Sequence, residues 1–426
     1  MRRAAAWALA ASAAIAAAGC AARKPQPVTF TGGGVLAKAG LHTYWNLSLG
    51  LGAGQKIDRL TLLEENLYCL TDDNVLIAVD AAAGVRKWTR QIAPAGKKVY
   101  ELCVGDGVHL SPEVPGVEAV LRRRSEESLP AVDVVIANTP DEAVVMDRSS
   151  GAVVRRISFH PRPNEFVANT GGACDGTHFY VGTNDGRCVA YRLNTALVVW
   201  TLYTGEILWS PPRCLLSGDV MRVYVAASNG DLFVCRAGDL LHQYWPPEGK
   251  RAWPSMAGEV VAPFVVDSRA AFVPCVRRRV YAFPLKGGEP IWKFSTQGSL
   301  YDPIQVSEQC VFQYARGDRF YALDPTSGQQ RWSLTDGRRV LASMSVEKAP
   351  TAYVVDNRGD LLVVDEILGK VRADVPLTAC DLYADNTFAP AIYVGNRDGH
   401  LYCLRQTGAQ RLTSAMLRKA AAAAKK

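Results

Sequence analysis

Residues 320–332 read FYALDPTSGQQRW. An apolar run ends at Asp324, Gly328 follows after three residues, and Trp332 after three more. An aspartate placed there can accept hydrogen bonds from the backbone N–H groups just beyond it, and the glycine can take the positive φ that other residues avoid. The tryptophan then opens a new strand with a large apolar ring that needs covering. Residues 76–88, LIAVDAAAGVRKW, repeat the pattern with Asp80, Gly84 and Trp88. Weaker copies are AVVMDRSSGAVVR (143–155, Asp147 and Gly151), CVAYRLNTALVVW (188–200, Trp200), VYAFPLKGGEPIW (280–292, Gly288 and Trp292) and LLVVDEILGKVRA (361–373, Asp365 and Gly369). Two more are eroded, LFVCRAGDLL (232–241) and LYCLRQTGAQRL (401–412).

The glycine-equivalent positions are Gly84, Gly151, Ala196, Gly238, Gly288, Gly328, Gly369 and Gly408, stepping by 67, 45, 42, 50, 40, 41 and 39 residues. A strand-rich period near 40 is the spacing of a four-stranded propeller blade. Upstream of the turn, segments such as FYVGTNDGRCVAY (179–191), VYVAASNGDLFV (223–234), AYVVDNRGDLLVV (352–364) and IYVGNRDGHLYCL (392–404) read as β-hairpins about Asn-Gly- or Asp-Gly-type turns. Arg316-Gly317-Asp318 and Arg358-Gly359-Asp360 fall at such turns, so they are read as turn chemistry and not as an adhesion signal. The eighth unit lacks a tryptophan. Thr43-Tyr44-Trp45-Asn46-Leu47 looks like its missing outer strand, so Trp45 is expected beside residues 392–412. A strand from the start of the chain would then close the ring and remove an open sheet edge. The sequence therefore predicts an all-β, eight-bladed β-propeller over 41–412. The long first step places an insertion around 105–130, read as a charged loop between strands.

The first residues carry an address. Met1-Arg2-Arg3 precedes an Ala-rich apolar stretch ending Ala17-Ala18-Gly19-Cys20. Fifteen apolar residues are short for a membrane span, which needs about 20, and suit a secretory signal. The small residues before Cys20 resemble a bacterial lipobox, which implies a signal peptide over 1–19 and lipidation of Cys20; an ordinary signal peptide with Cys20 incidental is the alternative. Ala21 after it, by the same resemblance, implies the outer membrane facing the periplasm, with inner against outer membrane left open. Residues 20–40 read as a flexible tether and 413–426 as a basic, Ala/Lys-rich tail.

Composition narrows the function classes. Hydrophobic residues at 48% and charged residues at 21% describe a globular chain and exclude a disordered one. A net charge of +7, two of it from Arg2 and Arg3, is too mild for nucleic-acid binding, and an exported protein has no nucleic acid to meet. The basic runs Arg122–Arg124 and Arg277–Arg279 then read as solvated rim or as contacts for an acidic partner surface. Eleven cysteines and six histidines show no zinc or haem spacing. Cys188, Cys235 and Cys403 occupy comparable strands and read as buried small hydrophobes, though an exported chain can form a disulfide or two.

The repeat resembles the pyrroloquinoline-quinone-type (PQQ-like) propeller repeat, with Tyr321-Ala322-Leu323-Asp324, Gly328 and Trp332 matching its pattern. Among proteins of that superfamily, the quinoprotein dehydrogenases often carry a vicinal Cys-Cys pair and bind calcium with an acid and an amide. This chain has no Cys-Cys and no recognisable calcium set. Length, lipobox and blade count are instead similar to the BamB-like branch. That resemblance implies a non-catalytic, lipid-anchored scaffold with no cofactor, expected to be monomeric. Its partners would be other envelope proteins, with outer-membrane β-barrel assembly as the suggested role. Two alternatives stay open: a PQQ-dependent dehydrogenase or small-ligand binder using the central funnel, and a carbohydrate- or cell-wall-binding propeller.

Overall fold

Turns after the third strand, four of them Asp-x-x-x-Gly, alternate along the chain with hairpins between the second and third strands, and each pair of turns folds one four-stranded antiparallel sheet. In the computed structural model eight such sheets form a β-propeller. The structure describes residues 33–110, 130–159, 167–237, 244–245, 256–346, 349–377 and 380–424. Blade 1 is built from Ile57–Leu63, Asn66–Thr71, Val75–Asp80 and Val85–Gln91, from the ring axis outward. Blades 2 to 7 repeat this order within 103–158, 168–203, 213–245, 265–295, 305–334 and 337–376. The two middle strands are buried on both faces because neighbouring blades cover each side; Asn66–Thr71 is buried throughout. The outer strand buries only its tryptophan side, as in Val85–Gln91.

Blade 8 joins the two ends of the chain. Leu382–Tyr383, Ile392–Gly395 and His400–Gln406 supply three strands, and Leu41–Ser48 supplies the outermost. The N-terminal strand pairs antiparallel with His400–Gln406, from Leu41 opposite Gln406 to Ser48 opposite His400. Trp45 lies opposite Cys403 and tilts against Tyr393, ring centroids 6.0 Å apart.

The ring has two faces. Asp-x-x-x-Gly turns and first-to-second-strand turns lie on one, the turn face. Asn-Gly-type hairpins and blade-to-blade connections lie on the other, the hairpin face. Gly317 and Gly359 take φ values of 76° and 89° at two of those hairpins. The long first step arises between the first two strands of blade 2, Cys103–His109 and Ala131–Asn138. Residues 111–129 of that insertion lie outside the described residues, as do the signal segment and Cys20.

Two segments read from sequence as lying outside the propeller pack onto it. Helix α1, Gly33–Lys38, falls within the expected tether. Its Leu36 is buried with Leu41 against Tyr353, Val363, Val375 and Leu404, beside Ala373. Ala373 occupies the tryptophan position of blade 7, so α1 fills the space that a missing ring would leave between blades 7 and 8. Helix α2, Ser414–Ala424, falls within the expected tail. Thr413 Oγ1 accepts the Met416 N–H at 3.2 Å, which caps the helix start. Its Leu417 and Ala421 are buried on the turn face, Leu417 in the core shared by blades 8 and 1.

Candidate functional site

Each repeat tryptophan works on the next blade. Trp45 donates its indole N–H to Ala81 O at 3.0 Å, Trp88 to Arg148 O at 3.1 Å, Trp292 to Pro325 O at 2.8 Å and Trp332 to Glu366 O at 2.7 Å. Every acceptor is the residue that follows a turn aspartate: Asp80, Asp147, Asp324 or Asp365. The rings lie flat on the turn glycines. A Cβ on Gly84 would sit 2.6 Å from Trp45 Cδ2, and on Gly151 or Gly328 it would sit 2.5 Å from Trp88 or Trp292 Cδ2. Gly369 meets Trp332 in the same way. Glycine is required there twice, for the close ring and for φ values of 68–71°.

Gly288 departs from this plan. Pro284 stands where the aspartate should be, so the turn closes one residue early, from Gly287 N to Pro284 O at 3.1 Å, and among the described side chains no ring covers Gly288. Trp200 is half-buried against Tyr180, with centroids 5.5 Å apart, but its receiving position, Gly238, lies outside the described residues.

The four aspartates serve their own turns. Asp324 Oδ1 accepts the N–H groups of Thr326 at 3.0 Å and Ser327 at 2.8 Å, and Oδ2 pairs with Arg331 at 2.6 Å. Asp80, Asp147 and Asp365 accept the equivalent pairs of N–H groups. The Ser327 N–H and the Arg331 guanidinium favour the ionised form and pull the Asp324 carboxyl down to about 2. A depressed folded value gives stability above the unfolded value of about 3.9, and that stability is lost as pH falls through about 2. Asp324→Ala should therefore lower the denaturation midpoint at neutral pH and approach wild type between pH ~4 and ~2. A gap that stays constant over that interval would show that the turn does not depend on the charge.

The innermost strands enclose a channel along the ring axis, a cavity of about 830 Å³ entered from the hairpin face. Arg59 Nη2 donates to Val99 O and Tyr100 O, both at 2.6 Å, and Arg213 Nε donates to Phe264 O at 2.8 Å. Burial lowers both guanidinium values, with Glu101 opposing the shift. Arg339 meets Asp385 at 3.2 Å and Arg316 meets Asp302 at 2.7 Å. Enclosure by the ring raises the Asp385 carboxyl, opposed by Arg339, and 42% of its side chain stays accessible from the channel. Asp58, Glu101, Asp356, Asp381 and Asp385 balance Arg59, Arg213, Arg338, Arg339 and Arg358 along the wall. The channel is thus polar and close to neutral.

The cysteines of the described residues are thiols. Burial pushes Cys235 and Cys403 up to about 12 and raises Cys188, which disfavours the reactive thiolate.

The turn face carries a charge cluster, built on the buried Arg148 and Glu65, with no counterpart in the sequence pattern. Arg148, 2% exposed in its side chain, lies 2.9 Å from both Asp106 and Asp133 and 3.4 Å from Glu65. Arg418 of α2 reaches the same acids, Glu65 at 2.9 Å and Asp133 at 3.1 Å.

Comparison with known proteins gives one consistent answer. The family model described as outer membrane protein assembly factor BamB matches residues 37–201 and 236–422. The outer membrane protein assembly factor BamB of Yersinia pestis is 24% identical over 354 residues, 74% of this chain and 79% of that protein. Among solved structures, BamB from Moraxella catarrhalis superposes with a TM-score of 0.58 at 12% identity, covering 87% of this chain and 99% of that one. The computationally designed Ika8 protein gives 0.56 at 12% identity, covering 84% and 98%. These structural likenesses concern the fold.

Proposed function

The chain belongs to the family of the outer membrane protein assembly factor BamB, and from that membership we propose that it is a non-catalytic propeller scaffold of the bacterial cell envelope. In this reading Cys20 carries the lipid, 1–19 is removed, and the propeller faces the periplasm from the outer membrane. It binds other envelope proteins through its rim loops, β-barrel assembly components among them. The family match, which spans both halves of the ring, carries the proposal. Supporting it, the repeat aspartates are committed to turn N–H groups, and the channel wall sets its acids against arginines.

Three measurements test this reading. Metabolic fatty-acid labelling should mark the wild type and not Cys20→Ser; an unlabelled wild type would end the lipid-anchor part. Affinity capture from detergent-solubilised membranes, read by mass spectrometry, should enrich β-barrel assembly components over other envelope proteins. Calorimetry with pyrroloquinoline quinone and Ca²⁺ should show no binding. Micromolar quinone binding together with substrate-dependent dye reduction would replace the scaffold with a dehydrogenase.

A further inference from the structure

Helix α2 does more than finish the chain. Its first half is fixed to blades 1 and 2: Ser414 Oγ lies 3.1 Å from Asp80 Oδ2, and Arg418 bridges Glu65 and Asp133. Its second half faces blades 5, 6 and 8. Ala420, Ala423 and Ala424 form one wall of an 840 Å³ cavity whose other walls include Val265, Ile304, Val306 and Phe388. In a ring of eight, blades 5 and 6 stand opposite blades 1 and 2. A helix of 11 residues, about 16 Å long, held on one side and facing the other therefore lies across the axis. The cavity beneath it shares Pro303 and Asp385 with the central channel.

The two halves are held unequally. The first has a buried leucine, a capped start and a charge cluster; in the last turn Ala421 alone is buried, and Ala422, Ala423 and Ala424 are exposed. The charge balance at the fixed end is tight. Glu65, Asp106 and Asp133 face Arg148 and Arg418, so loss of Arg418 leaves three carboxylates on one guanidinium, and Glu65 is 2% exposed. We infer that α2 is a detachable stopper: it closes the turn-face mouth of the channel, and its release joins channel and cavity into a passage through the ring.

Native-state hydrogen exchange on the full chain tests this. Arg418→Ala should speed exchange of amides in 417–424 by at least about tenfold, the factor that corresponds to ~1.4 kcal/mol. Amides at Ala270 and Cys310, in the blade 5 and 6 turns beside that cavity, should speed up with them while the middle strands of the blades do not. Raising NaCl from about 0.05 to about 0.5 M should move wild type in the same direction, because the clasp is partly open to screening. Lys419→Ala, on the same helix but away from the acids, should leave exchange unchanged. Exchange of 417–424 only together with the blade strands in both proteins would overturn the inference. So would an equal effect of Lys419→Ala, or faster exchange in α2 with no change at Ala270 and Cys310.

Discussion

Removal of residues 41–48 should destabilise the protein more than loss of any single repeat tryptophan. The strand forms one whole edge of blade 8, so its loss strips His400–Gln406 of seven cross-strand partners and leaves an unpaired row of N–H and C=O groups. Trp45 leaves Gly84 and Ala81 at the same time, and burial of one large aromatic side chain alone contributes about 2–3 kcal/mol. Tyr44 goes too: its ring lies 5.0 Å from the Arg405 guanidinium, and its hydroxyl accepts the Leu412 N–H at 3.2 Å, at the entry to α2. Together these losses should reach on the order of 5 kcal/mol or more, with concentration-dependent aggregation through the new edge. Denaturant titration and light scattering would measure both. A synthetic peptide of residues 39–50 should restore part of the stability by re-pairing the edge. A truncated protein as stable and as soluble as the intact chain would mean that the ring closes by other contacts.

Trp332→Ala should cost about 3–5 kcal/mol, the range for removing a buried tryptophan or phenylalanine. Trp332 is 6% exposed, packs against Phe312 and Phe320 at centroid distances of 5.9 and 6.2 Å, and covers Gly369 of the next blade. Its indole N–H also donates to Glu366 O, so the substitution leaves a void and strips that buried carbonyl of its stronger donor, with the weaker Cys310 Sγ–H at 3.2 Å remaining. Chemical denaturation should show a lower midpoint. Trp332→Phe should recover part of the loss, since it restores apolar contact without the donor. A cost below about 1 kcal/mol for the alanine variant would show that neighbouring blades hold together without this contact.

What could be read from the sequence follows the range of the interactions. Asp324, Gly328 and Trp332 lie within nine residues, and their turn is written in their order, so blade number and strand direction were legible. Trp45 was legible for a different reason: one unit lacked a ring and one orphan strand offered it. The failure at Gly288 is also local, since Pro284 cannot supply the carboxylate acceptor of the turn. The substitution of α1 for a tryptophan next to Ala373 was not legible, because Leu36 is an ordinary leucine until it meets Val363 and Leu404. The clasp of α2 is the clearest case. Arg418 pairs with acids 285 and 353 positions away, and nothing local in LRKAAAAAKK distinguishes a docked helix from a solvated one.

The N-terminal strand enters its sheet from the turn face, with Leu41 opposite Gln406, and α2 lies on that same face. Start and finish of the folded body therefore lie on the same side of a disc. A bead, a sensor surface or a fluorescent fusion attached at either end would share that side, and the opposite side, with its Asn-Gly-type hairpins and open channel mouth, would be presented outward. A ligand captured by the outward side would be indifferent to which end carries the attachment.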